Sequence, residues 1–331
     1  MKSKNRRARV WAAVLLVTPP IGLGFLLPPE RQAAHAVVKQ IDDLIAGTRD
    51  PEAQLTARAV STRRAAEMIA RQVDHVLLVT PNNGRTLVAQ LSDRLALPIV
   101  WPQPGSDWKA STGIGLGNVT LEGFHRESAS PGEAPRLPRI SSLALQPTDL
   151  KFALNELRSL GIAHEPPPAS PAAGDPSPRW TTVGLQGFGH GLFLIQYNFD
   201  MDERRLRFDR VLRERDGGVL GILRVLEVVI APDRVDQVKV QWTKLLGPTD
   251  PGDAYLWSVG DGPKVRLVKA QDPRAGNIVI EVKSIIRAAE ALRALGISAH
   301  TSARKIRIDP DGMSGLRLIL QEQLRPLRSR Q

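Results

Sequence analysis

The sequence predicts an α+β protein made of four βαβββ modules paired into two domains, and three observations carry that expectation. One pattern comes four times: an apolar strand, a turn, a helix of about four turns, then a Leu-Gly stop. Behind each helix lies strand-like material that ends in an alternating or apolar run. Asp261-Gly262 and Asp311-Gly312, favoured tight-turn pairs, separate strands in the last two copies. A repeat of this length constrains a fold more than any single motif.

The amino terminus comes first. "MKSKNRRARV" is a positively charged head, and "VWAAVLLVTPPIGLGFLL" is an uncharged, mostly apolar run of 18 residues. This pattern reads as a signal peptide or a membrane anchor over residues 1–36, which places the bulk of the chain outside the cytoplasm. Pro19 and Pro20 would break a spanning helix and favour a signal, and Ala34-His35-Ala36 offers a cleavage site. An uncleaved segment would make the membrane a partner. Residues 37–72 are helix-compatible and amphipathic and read as a stalk.

The first module is "VDHVLLVTPNNGRTLVAQLSDRLAL" (Val73–Leu97), with Leu-Ala at the stop, and its last strand is "GNVTLEGF". The second opens with "ISSLALQPTDLKFALNELRSLGI" (Ile140–Ile162) and ends in "GLFLIQYNF". Together they give a first domain over 73–199. A charged stretch, "DMDERRLRFDRVLRERDGG", links the pairs over 200–223 and is expected to form an outer helix. The third module, "VLEVVIAPDRVDQVKVQWTKLLG", and the fourth, "NIVIEVKSIIRAAEALRALGI", make a second domain over 224–323. A basic tail, 324–331, follows. Gly161, Gly247 and Gly296 stand where a helix end needs a residue free to take positive φ.

Composition narrows the function classes. The chain has 331 residues, 42% hydrophobic and 24% charged, which is globular. It has no cysteine, so disulfides, zinc-thiolate sites, iron–sulfur clusters and thiol nucleophiles are excluded. Of the formal charge of +11, the first 36 residues hold +5, leaving a mild, dispersed +6. With aromatics at only 5%, the reading is a solvated surface and no nucleic-acid partner. "TGIGLGN" (112–118) precedes a strand, not a helix, and so reads as a turn or bulge, not a phosphate loop.

A strand with His near its start, a helix ending in Leu-Gly and a last strand bearing a carboxylate resemble the vicinal-oxygen-chelate superfamily. That group holds the glyoxalases, bleomycin-resistance proteins and extradiol dioxygenases. The resemblance covers roughly residues 73–323 and implies two glyoxalase-like domains, each with paired modules curving around a cavity. It also implies a divalent metal (Zn, Ni, Mn or Fe(II)) and a small, oxygen-rich ligand. By position, His75 matches the first-strand ligand and Glu122 the last-strand ligand, with Glu122 also the catalytic carboxylate. Ser142 and Gln196 fall where a second His and a second Glu would be, and His190 precedes the last strand of module two. These three are expected to contact the ligand. The second pair offers Glu227 and Asn277 at its strand starts, with Val268 and Ile319 or Gln321 at its ends. It lacks a metal set and is expected to be structural. Two functions follow: a metal-assisted lyase, isomerase or dioxygenase-like enzyme, or a protein that sequesters a small molecule without chemistry.

Overall fold

The computed structural model describes residues 66, 69–80, 85–101, 111–125, 139–168, 178–270 and 276–322. The expected signal segment, most of the stalk and the basic tail lie outside the described residues. So do the segments 126–138 and 169–177. Among the described residues no helix is long and apolar enough to cross a membrane.

Two mixed sheets of seven strands each form the framework. The first contains β1 (Gln72–Thr80), β2 (Ile99–Trp101), β3 (Ser111–Gly115), β4 (Thr120–His125), β5 (Arg139–Gln146), β6 (Trp180–Leu185) and β7 (Gly191–Tyr197). Its order is β2-β3-β4-β1-β5-β7-β6. The second contains β8 (Ile222–Ile230), β9 (Leu256–Trp257), β10 (Lys264–Leu267), β11 (Asn277–Val282), β12 (Ala299–Thr301), β13 (Lys305–Ile308) and β14 (Leu318–Glu322). Its order, β12-β13-β14-β11-β8-β10-β9, repeats the first with the modules interchanged. In each sheet the two modules meet through antiparallel first strands, β1 with β5 and β8 with β11.

The helices follow from capping and apolar spacing. They are α1 (Arg85–Ala89), α2 (Leu150–Ser159), α3 (Met201–Glu214), α4 (Val235–Leu246) and α5 (Ile285–Ala294); a π turn, Gln90–Arg94, extends α1. Asp149 caps α2 by accepting from the Phe152 N–H at 2.8 Å, and Ser284 caps α5. Each helix buries one stripe: Ala153, Leu154 and Leu157 on α2, Ile285, Ala288 and Leu292 on α5. These meet the alternate strand residues, such as Leu143, Leu145, Leu192 and Leu194, in one continuous core. The opposite faces of the sheets are left to line cavities.

The repeat is present four times, but only modules one and four are complete βαβββ units. Among the described residues, modules two and three place two strands behind the helix instead of three. After α2 the chain reads His164-Glu165-Pro166-Pro167-Pro168, and only His164 bridges to Leu185. Proline has no N–H to give a ladder, so the run cannot become a strand. Pro248 and Pro251 stand at the same place after α4. Asp311-Gly312 differs too: it lies in a short 3-10 helix, Pro310–Met313, and not in a two-residue hairpin. The helix stops are as expected, with Gly161, Gly247 and Gly296 at φ of 64°, 77° and 64°. In module one Ala96 takes the same left-handed conformation at φ 57° without the freedom of glycine.

Candidate functional site

The first sheet's inner face holds a cavity of about 570 Å³, a size suited to a small molecule. His75 on β1 and Glu122 on β4 stand together in it, with the imidazole Nε2 3.1 Å from the carboxylate Oε2. Parallel pairing brings them there: His75 lies opposite Thr120, and Leu77 opposite Glu122. Trp101 and Phe193 meet the His75 ring edge-on, at centroid distances of 6.2 and 5.6 Å. Leu77, Trp180, Ile195 and Met201 add to an apolar wall.

An irregularity in β1 explains how a charged acid can neighbour the imidazole. The register against β5 shifts between Val73 and His75, so Asp74 is an extra residue in the strand. Such a bulge re-aims side chains that would otherwise point to opposite faces. Asp74 and His75 are 3% and 4% exposed, and Asp74 Oδ2 accepts from His75 Nδ1 at 2.7 Å. The same carboxylate accepts from the Tyr197 hydroxyl at 2.8 Å and from the Arg205 guanidinium. Arg205 also donates to Gln146 and to Asp202, the latter at 3.1 Å. A buried carboxylate needs such company, and here the partners satisfy it.

Each ionisation follows from these contacts. Burial alone would lower the His75 pKa, but the hydrogen bond and charge of Asp74, with the charge of Glu122, outweigh it and raise it. Burial would raise the Asp74 pKa, but the hydrogen bond and charge of His75, the charge of Arg205 and the Tyr197 hydroxyl hold it below the usual carboxylate range. Burial, then the charge and hydrogen bond of Asp74, push the Tyr197 phenol up, so it stays a donor.

The other sequence candidates lie elsewhere. Ser142 pairs opposite Leu77 in the sheet but is not among the residues lining the cavity, and it packs against Gly191. On β7 the cavity residues are Phe193, Ile195 and Tyr197. Strand alternation therefore turns Gln196 to the other face, where its amide donates to the Tyr197 carbonyl at 3.2 Å. His190 sits in the β6–β7 turn; its neighbour Phe188 packs edge-on against Trp242 of α4 at 5.4 Å. In the second sheet, Glu227 and Asn277 line a separate cavity of about 510 Å³. There Arg266 engages Glu227 at 2.6 and 3.2 Å, so that carboxylate is already spoken for.

Sequence reasoning missed Asp74, Tyr197 and Arg205 as site residues. Asp74 had a signal, since it directly precedes His75. Tyr197 was one alternation step from the residue chosen. Arg205 had none: it lies 131 residues from Asp74, on α3, the helix expected to be an outer linker. That helix instead forms a wall of the site, with Met201 and Arg204 lining the cavity.

The geometry of the pair suits a metal site. A separation of 3.1 Å suits two adjacent donors on one ion, and Asp74 on Nδ1 leaves Nε2 as the ligating nitrogen. Among the described residues no group of three or more His, Cys, Asp and Glu gathers around a common point. The donors therefore fit an open, weakly held divalent ion completed by water or by an oxygen ligand.

No protein-family model matches the chain, and no curated protein matches it in sequence. Solved structures do match its fold. A 2,3-dioxygenase from a Pseudomonas species superposes with a TM-score of 0.50 at 12% identity, over 79% of this chain and 96% of that one. A hypothetical protein from Staphylococcus aureus gives 0.50 at 10% identity, over 76% and 99%. A Mn(II)-bound glyoxalase from Novosphingobium aromaticivorans gives 0.48 at 13%, over 77% and 83%. With two seven-stranded sheets of paired repeats, each lining a cavity, the chain shares the fold of that 2,3-dioxygenase, the fold that the resemblance to the vicinal-oxygen-chelate superfamily implied.

Proposed function

We propose that the protein takes a small, oxygen-rich molecule into the first sheet's cavity and that His75 and Glu122 act on it there. The observation that carries this is the buried Asp74–His75–Glu122 line opening on an aromatic-walled cavity. Asp74 fixes the ring so that Nε2 faces the ligand, and it stabilises the charged imidazolium that forms when Nε2 takes a proton. Glu122, half-buried beside it, offers a second oxygen to accept a proton or to hold a cation. A divalent ion on His75 and Glu122 would add Lewis-acid polarisation of a bound carbonyl or hydroxyl. Trp101, Phe193 and Ile195 exclude water from this floor. The reaction class that fits is lyase, isomerase or dioxygenase-like chemistry on neighbouring oxygens. The N-terminal charge and apolar run support placing this cavity outside the cytoplasm.

A second reading is sequestration without chemistry, and the count of two metal donors among the described residues favours it. Turnover and binding of a panel of vicinal diols, catechols and 2-oxo acids separate the two. Under the enzymatic reading His75→Ala and Glu122→Gln abolish turnover, and under sequestration the wild type binds a panel member and converts none. A wild-type protein that binds no member of the panel contradicts both.

A further inference from the structure

We infer that the oxygen-rich ligand of this cavity also carries a flat, apolar body and a terminal carboxylate, which Arg179 and Arg204 receive at the cavity rim. The inference rests on reading the first-sheet cavity as the ligand site. Both guanidinium groups line that cavity, and both stack on one ring: Arg179 lies 5.5 Å and Arg204 5.6 Å from the Phe199 centroid. Arg204 also lies 5.3 Å from the Phe208 centroid. Each guanidinium lies within cation–π reach of the ring, and among the described residues neither donates a side-chain hydrogen bond, which leaves N–H groups for a planar oxyanion.

Charge balance points the same way. Among the described residues Arg205 is paired with Asp74 and Arg266 with Glu227, whereas neither Arg179 nor Arg204 makes an ion pair. The carboxylate that lines this cavity, Glu122, faces His75. Asp200, the acid next to Phe199, caps α3 by accepting from the Glu203 N–H. Among the described residues the rim therefore carries two positive charges without an ion-pair partner above an apolar body formed by Leu77, Trp101, Trp180, Phe193 and Ile195. Such a field draws an anion and holds its carboxylate at the rim, so that the rest of the molecule extends inward toward His75 and Glu122.

The test uses the full chain and two probes of equal shape, 2-naphthoate and 2-naphthamide, titrated calorimetrically. The acid is expected to bind at least about tenfold tighter than the amide, the gain of a charge-assisted hydrogen bond at a half-exposed site. Arg179→Gln and Arg204→Gln should each weaken the acid about tenfold and leave the amide unchanged. Arg204→Lys, which keeps the charge but loses the stack, should recover part of the loss. Lys305→Gln, in the second sheet's cavity, should change nothing. Equal binding of acid and amide, or equal losses for both in the Arg variants, overturns the carboxylate assignment while the cavity stands. If neither probe binds the wild-type protein, the reading of the cavity as a ligand site fails, and the assignment with it.

Discussion

Replacing Asp74 by Asn removes one charge and leaves shape nearly unchanged. The carboxylate is 1% exposed and accepts from His75 at 2.7 Å, from Tyr197 at 2.8 Å and from Arg205. Hydrogen bonds to a charged group contribute about 1.5–3 kcal/mol each, roughly twice a neutral one, so three such bonds lose about half their strength. Arg205 is 16% exposed but keeps Asp202 and Gln146, which limits the cost of stranding its charge. Breaking a buried pair costs about 3–5 kcal/mol, and the retained partners place this change near the lower end, at about 3 kcal/mol. Urea unfolding at neutral pH reads it as a fall in midpoint of about 1 M, for a slope of about 3 kcal/mol per M. Asp202→Asn is the matched surface control: it also loses contacts to Arg71 and Arg205 but is 49% exposed, and is expected to cost under about 0.5 kcal/mol. If Asp74→Asn falls no further than Asp202→Asn, the buried network does not hold the site together.

Three further outcomes follow from the same contacts. The raised His75 pKa means its pairing stabilises the fold fully below the ordinary value of 6.5 and is lost as pH rises through the folded value. The midpoint difference between wild type and His75→Gln should therefore be larger at pH 6 than at pH 9; an equal difference contradicts the imidazolium pairing. Ala96→Gly relieves a left-handed alanine at the end of module one's helix and should raise stability by about 1 kcal/mol, read by thermal unfolding. Gly191→Ala places a Cβ against Ser142 and the Ser141 carbonyl, and the backbone oxygen cannot yield as a side chain can, so it should destabilise by about 1–3 kcal/mol in the same assay.

What the sequence made legible was the repeat, because periodic apolar spacing and helix stops are local signals. The last-strand runs quoted for modules one and two hold all of Gly191–Tyr197 and all of Thr120–His125 but its final residue. The number of strands per module was less legible, since it turns on prolines at 166–168, 248 and 251 that read equally as loop or linker. For the site, His75 and Glu122 could be placed because each stands at a repeated position on its strand. Gln196 and Tyr197 differ by one residue, and period-two alternation decides which of them meets a ligand only once register is known. Arg205 and Arg204 reach the site by tertiary packing of α3, and no local pattern encodes that. The Asp74–His75 dipeptide needed the bulge in β1 before its two side chains could be read as one unit.

The central claim is that His75 and Glu122 form the polar floor at which the first-sheet cavity takes a cation or an oxygen ligand. Titration with Mn(II), followed by NMR of the six imidazoles, tests it most directly. The account predicts that the His75 resonances broaden first and that Glu122→Gln abolishes the effect while leaving the spectrum folded. Broadening of other imidazoles with His75 untouched, or an unchanged response in Glu122→Gln, would contradict it.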